Sequence, residues 1–566
     1  MKKFILGFLI GIVFVGLLGA ILVFAVLRMA GRTPTVEANS ALVLHVEGDV
    51  PEQAPVDISL PFLQEEPPLT VSDYWRVLQQ ASTDSHIKAL VLEPRDLSAG
   101  WAKLEELRAD IVAFKKSGKP VYAYLKGGGT HEYYLATAAD NVYMSPEDEL
   151  DVKGLRAELM FLKGTLDKLG VSMEFEHIGK YKDYPDQFTA TGPSQPTLDQ
   201  INPILDQYYG DLVNVIAQGR KKSPDAIRAV IDQGPFVGEE AVKDGLVDAL
   251  LYEDEMYDKA GNPARISGHS YAKATEGSER GKRIALVTEE GDITRGDQSS
   301  DGISAGGIAS GDAIRTMRQV EDDPSIQGVI LRIDSPGGDG IASDDILHEA
   351  KRLSQKKPMV ISMSDDAASG GYFIAMTGDP VVAYPNTLTG SIGVFYGKVD
   401  LSELYKKIGF KKELLTRGKY ADIDSEAKPL TPDERTKLHD EIEVFYRGFV
   451  QRVADGRKRS YDQVEPLAQG RVWLGSQAKQ NGLVDQIGGL DEAVALVKQR
   501  AKIGAGENII LVQYPPRRTL YDLLFGSRSP DAQVESQLRA VLGNVPFRLL
   551  ARGGVMRLMP FTLTIK

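Results

Sequence analysis

A chain of 566 residues with 42% hydrophobic and 26% charged side chains has a globular composition and is too long for one ordinary core, so two or more domains are expected. A formal net charge of −13 leaves no basic excess to release counterions from a phosphate backbone, which argues against nucleic acid as a partner. The absence of cysteine removes disulfides, thiolate nucleophiles and thiolate metal sites.

Met1-Lys2-Lys3 precedes Phe4 to Leu27, a run of 24 residues without a charge and long enough to cross a bilayer as a helix. Cleaved signal peptides carry shorter apolar regions, so residues 1–32 are expected to be an uncleaved anchor; Ala25, Ala30 and Gly31 keep cleavage open as the alternative. Lys2, Lys3 and the α-amine slightly outweigh Arg28 and Arg32, which favours a cytoplasmic N-terminus and an exported body.

Beyond the anchor the chain repeats itself. Asp73 to Leu92 matches Asp312 to Leu331, and Gly179-Lys180-Tyr181-Lys182-Asp183 matches Gly418-Lys419-Tyr420-Ala421-Asp422, both at an offset of 239 residues. Gly245-Leu246-Val247-Asp248 recurs as Gly482-Leu483-Val484-Asp485 at an offset of 237. A period this long is a duplicated domain rather than a solenoid; the expected bounds are 33–279 and 280–514, followed by a tail at 515–566. In each copy β-rich runs (Ala41 to Val46, Ala89 to Leu92, Pro120 to Leu125; Ile284 to Thr288, Gly328 to Ile333, Pro358 to Met363) alternate with helical periodicity, which predicts α/β layering. A long helix in each copy, about Leu198 to Gln218 and Pro432 to Asp455, ends at Gly-Arg-Lys with glycine in the C′ role. The aromatic pairs Tyr208-Tyr209 and Phe445-Tyr446 on these helices are assigned to core.

The copies differ where chemistry could reside. Repeat two has Ala368-Ser369-Gly370-Gly371-Tyr372 after a β-rich run, a pattern of strand, sharp turn and helix, whereas repeat one has Thr130-His131-Glu132-Tyr133 there. Ser369 is a candidate nucleophile; the alternative is a helix cap. Lys182 faces Ala421 in the other copy, while Lys180 and Lys419 are common to both, so Lys182 is the asymmetric lysine. A neutral lysine amine can take a serine proton, provided burial lowers its affinity for protons; a solvated surface lysine is the alternative, and Asp183 would oppose the shift if close. Where repeat two has Asp334-Ser335-Pro336-Gly337-Gly338-Asp339 after its second strand, repeat one has Glu93-Pro94-Arg95-Asp96, with no glycine pair. Gly338 with Gly370 would offer two amides to an oxyanion, unless the stretch is an ordinary βα turn. In Thr389-Gly390-Ser391-Ile392-Gly393, Ser391 is either a hydroxyl that holds the lysine or a plain turn residue. None of the seven histidines stands in a triad or metal spacing, and no cofactor or metal site is expected. Asp344-Asp345 and Asp365-Asp366 are assigned to solvated faces or caps.

Taken together, Ser335-Pro336-Gly337-Gly338, Ala368-Ser369-Gly370-Gly371-Tyr372, Thr389-Gly390-Ser391-Ile392-Gly393 and Gly179-Lys180-Tyr181-Lys182 resemble the signal peptide peptidase A family in its long, duplicated bacterial form. The resemblance covers the anchor and both repeats. It implies tandem Clp-protease/crotonase-like domains and a serine endopeptidase on the periplasmic side of the bacterial inner membrane. It further implies a homotetramer that degrades signal peptides and other apolar peptides. On the matched motifs, Ser369 is the nucleophile, Lys182 the general base and Ser391 the hydroxyl that orients the lysine. Two other classes remain open on the residues alone: a crotonase-like acyl-thioester hydratase or isomerase, and a non-catalytic membrane scaffold. The tail after Pro515-Pro516 is basic, with apolar runs at Val545 to Leu550 and Val555 to Phe561. It is expected either to touch a membrane or neighbouring subunit as an amphipathic appendage, or to be disordered.

Overall fold

The computed structural model describes residues 34–54, 68–278, 280–297, 307–517, 555–561 and 564–565. The anchor expected at 1–32 lies outside them, as does the apolar run 545–550; among the described residues no helix is long and apolar enough to cross a membrane. Residues of repeat one build a parallel sheet in the order Ala249–Leu250, Asn141–Met144, Val121–Leu125, Ile87–Leu97, Ser40–Gly48, Ala264–Ser267. Repeat two builds the same order from Gln486–Ile487, Val381–Ala383, Met359–Ala368, Ile326–Ser335, Lys282–Glu290 and Ile509–Tyr514. The duplication read from motif spacing is thus a duplication of topology.

The central strands are apolar on both faces because helices cover both: Leu90, Val91 and Leu92, like Val329, Ile330 and Leu331, are all buried. The helix Val71–Thr83 starts at Thr70, whose hydroxyl accepts from the Asp73 amide while the Asp73 carboxylate accepts from the Thr70 amide, a reciprocal capping box. Tyr208 and Tyr446 are buried, in line with their assignment to core.

The ends of the long helices differ from the sequence expectation. The helices run Gln195–Arg220 and Pro432–Gly456, and the left-handed residues beyond them are Lys221 (φ 53°) and Lys458 (φ 54°), not the glycines. Gly219 and Gly456 are there for packing. A Cβ on Gly219 would lie 2.4 Å from the Thr137 carbonyl oxygen, and one on Gly456 would lie 3.1 Å from the Met376 Cβ.

A strand ladder and a set of buried polar contacts join the repeats. Ser172–Ile178 of repeat one pairs antiparallel with Val394–Asp400 of repeat two, from Val394 opposite Ile178 to Asp400 opposite Ser172. Across the seam, Arg332 is fully buried with Nη2 2.7 Å from Glu52 and 2.6 Å from Glu106, and it donates through Nη1 to the Ser362 hydroxyl. Lys103 of repeat one lies 2.8 Å from Asp334 of repeat two. The Asp365 carboxylate accepts from the amides of Gly100 and Lys103, so it caps the repeat-one helix Trp101–Lys115 rather than a helix of its own repeat.

At 555–561, within its described residues, the tail departs from expectation. Val555–Leu558 is a strand of the body, antiparallel both to Gly337–Asp339 and to the strand Val394–Asp400, and Val555 to Phe561 is buried. Its apolar side chains are spent inside the chain's own fold rather than on a membrane.

Candidate active site

The strand Met359–Ala368 runs straight into Ser369, which turns the chain with φ 52° and ψ −111° before the short helix Gly370–Ile374. A non-glycine residue in that region costs on the order of 1–3 kcal/mol, and the neighbours fix it there. The Ser369 amide donates to Gly390 O at 2.8 Å, and its carbonyl accepts from the Phe373 amide at 2.8 Å. Its hydroxyl makes no capping bond, so the helix-cap alternative fails. Gly371 is required by packing, since a Cβ there would sit 2.4 Å from Ser335 O.

Lys182 arrives from the other repeat, and the inter-repeat ladder delivers it. Because Val394 pairs with Ile178 antiparallel, continuing beyond Ile178 and backing up before Val394 brings Lys182 and Ser391 to the same place. Lys182 Nζ lies 2.8 Å from Ser369 Oγ, 2.9 Å from Ser391 Oγ and 3.1 Å from Ser391 O, with all three residues fully buried. Serine and lysine therefore meet within one chain, 187 residues apart.

Burial holds the Lys182 amine well below the ordinary lysine range, and the nearby Arg557 cation lowers it further. Asp183 opposes this shift, but it is the weakest of the three influences; its carboxylate accepts from the Thr197 hydroxyl at 2.7 Å. A neutral amine has two N–H donors and one lone pair. Here the donors match Ser391 Oγ and Ser391 O, which leaves the lone pair facing the Ser369 hydroxyl.

Gly338 and Gly370 are also brought together. A Cβ on Gly370 would lie 3.1 Å from the Gly338 amide nitrogen, and one on Gly337 would lie 2.7 Å from the Gly370 amide nitrogen. All five residues singled out from the sequence thus converge. Sequence comparison missed Gln469 and Gly470. The Gln469 carbonyl accepts from the Tyr181 amide at 2.8 Å, and a Cβ on Gly470 would lie 2.7 Å from Lys182 N. A search for residues that differ between copies could not find them, because Gln233-Gly234 stands in the corresponding place of repeat one.

The sequence model of peptidase family S49 matches this chain twice, over residues 113–267 and 351–504. A chloroplastic serine protease SPPA of Arabidopsis thaliana is 34% identical over 90% of this chain and 76% of its own length. Protease 4 of Salmonella typhi is 31% identical over 83% of this chain and 78% of its own, and Protease 4 of Haemophilus influenzae is 34% identical over 75% and 71%. The duplicated profile and the extent of these matches establish that the chain belongs to peptidase family S49 and is a serine peptidase.

Proposed function

We propose that the protein is a membrane-anchored endopeptidase that cuts remnant signal peptides and other apolar peptides with a Ser369–Lys182 dyad. The observation that carries the chemistry is the buried amine of Lys182 at 2.8 Å from Ser369 Oγ. In this reading Lys182 accepts the Ser369 proton as Oγ attacks the scissile carbonyl carbon. The amides of Gly338 and Gly370 receive the oxygen as it becomes negative. The ammonium then returns the proton to the leaving amine, and a water activated by the same lysine hydrolyses the acyl-enzyme. Ser391 keeps the amine aimed at the serine throughout.

The substrate class is supported by the names of relatives, one of them a putative signal peptide peptidase SppA of Enterococcus faecium, and by the apolar run Phe4 to Leu27, which would place the site beside a bilayer. On the same reading the body sits on the periplasmic face of a bacterial inner membrane, as Clp/crotonase-like domains assembled into a tetramer. Ser369→Ala and Lys182→Ala, assayed on a fluorogenic apolar peptide, are each expected to lose about 10⁴-fold or more in kcat/KM. A serine-reactive probe should add its mass at Ser369 in the wild type. Full activity in either variant removes the dyad.

A further inference from the structure

The strand Val555–Leu558 lies where an extended peptide would have to lie to be cut. It runs between Gly337–Asp339, the strand that carries one candidate oxyanion amide, and Val394–Asp400, which follows Ser391. Gly338 pairs with Arg557, and the Met559 amide donates to Pro336 O at 2.8 Å. Antiparallel ladder bonds recur every second residue, so this register sets the Gly338 N–H opposite the Arg557 carbonyl. The same carbonyl oxygen is 1.9 Å from where a Cβ on Gly337 would be, a point itself 2.7 Å from the Gly370 nitrogen. Of the strand's carbonyls, that of Arg557 is therefore the one at the two amides.

The side chains alternate accordingly. Met556 and Leu558 join a buried cluster with Tyr184, Phe188 and Phe395. Arg557 points the other way, its guanidinium carbon 3.8 Å from the Phe373 ring centre and 5.3 Å from that of Phe449, with Nη1 donating to Gly340 O at 2.5 Å. Phe373 lies on the helix that Ser369 opens, so this pocket adjoins the nucleophile. Its aromatic walls and carbonyl match a planar guanidinium in shape and hydrogen bonding. Burial is the largest electrostatic influence and, with Arg452, lowers the pKa of Arg557 to about 10, while Asp344 and Asp339 oppose that shift. The fit is incomplete: among the described residues Arg557 Nε has no hydrogen-bond partner. An occupant that leaves a buried donor unsatisfied is one that a better ligand can displace.

We infer that the groove binds an extended peptide with an arginine in the pocket beside Ser369, and that the chain's own C-terminal strand is its tethered occupant, competing with substrate. This rests on Ser369 being the nucleophile and adds to the apolar-peptide reading a single basic position flanked by apolar ones.

The test uses full-length wild type, Arg557→Ala and Arg557→Lys, with two fluorogenic peptides identical except for Arg or Leu before the cleaved bond. Losing the Arg557 cation also raises the proton affinity of Lys182, so each enzyme is compared on the plateau of its own pH profile. There Arg557→Ala is expected to raise kcat/KM for the arginine peptide roughly tenfold, the effect of losing one anchoring contact worth about 1.4 kcal/mol. Arg557→Lys, which keeps the charge and the fold but not the planar fork, should fall between. A labelled peptide with the sequence of Val555 to Phe561 should bind Ser369→Ala/Arg557→Ala more tightly than Ser369→Ala alone, and less tightly when its arginine is leucine. Unchanged kcat/KM and unchanged peptide binding across the Arg557 variants would overturn the tethered occupant, and leucine preferred over arginine in Arg557→Ala would overturn the pocket. If instead Ser369→Ala still cleaves, the nucleophile reading falls, while the binding measurement continues to report on the occupant.

Discussion

The turn that holds Ser369 and its counterpart in repeat one share a fold and have opposite fates. In repeat two the backbone turns at φ 52°, no side chain takes the neighbouring amides, and the hydroxyl faces the seam between the repeats. In repeat one the corresponding chain passes extended through Gly129 into the helix Thr130–Ala136. There the Glu132 carboxylate accepts from the Gly129 amide at 2.8 Å and the Leu97 amide at 2.5 Å. The amides that could have served a substrate are consumed internally. The lysine turns diverge in the opposite sense. Lys180 and Lys419 each lie 5.0 Å from the ring of the tyrosine that follows, so the turn is the same shape. Lys419 is exposed and pairs with Asp433, which raises its proton affinity, whereas burial lowers that of Lys182. One copy keeps amides that face the C-terminal strand instead of a side chain of their own turn, and the other keeps the desolvated amine; a duplicated fold has brought two unlike halves together.

The strongest way to break that comparison is to move the lysine. Lys182→Ala/Ala421→Lys should remain at least about 10⁴-fold below wild type in kcat/KM, because Ala421 has no counterpart of the pairing that carries Lys182 to Ser391. Rescue would mean that the two turns are interchangeable. Next, Gly470→Ala should lose on the order of 100-fold, since the new Cβ lands on the Lys182 backbone at a residue with φ 76° and misplaces the amine.

Lys182→Met should abolish activity yet stabilise the fold. In the unfolded chain a lysine keeps its proton to about pH 10.4. In the folded chain Lys182 loses it earlier, so across that window the unfolded state binds more protons and stability rises with pH. The methionine variant should lose this slope and melt higher near neutral pH, at about 2–4 °C per kcal/mol recovered in a domain of this size; thermal melts at several pH values decide it. By the same sign, wild-type kcat/KM should climb with pH as the amine becomes neutral. The smallest effect on catalysis belongs to Glu132→Ala. It should leave kcat/KM within about twofold while lowering stability by about 1–3 kcal/mol, because the Leu97 amide is then left without its acceptor. Chemical denaturation measures that loss.

Much of this was legible in the chain. Strand positions followed from apolar runs, and the duplication from offsets of 239 and 237. The asymmetries Ser369 against Thr130 and Lys182 against Ala421 identified both halves of the site without any contact being known. What those differences could not identify were residues alike in both copies. Gly470 looks like Gly234 in sequence, but only one of them meets a lysine from the other domain. Asp365 is a cap, one of the two readings its sequence offered, but the helix it caps belongs to the other repeat, which no local pattern could show. Gly219 and Gly456 looked like helix terminators and instead relieve close packing.

The sequence by itself determined the layering, the repeat and which side chains are candidates for the chemistry, because periodicity and residue type are local properties. The tertiary structure alone decided that the groups meet within one chain, that the lysine is desolvated, and that the C-terminal strand lies across the site. Each of those depends on inter-repeat pairing and burial, which arise only when residues far apart in the chain exclude water together.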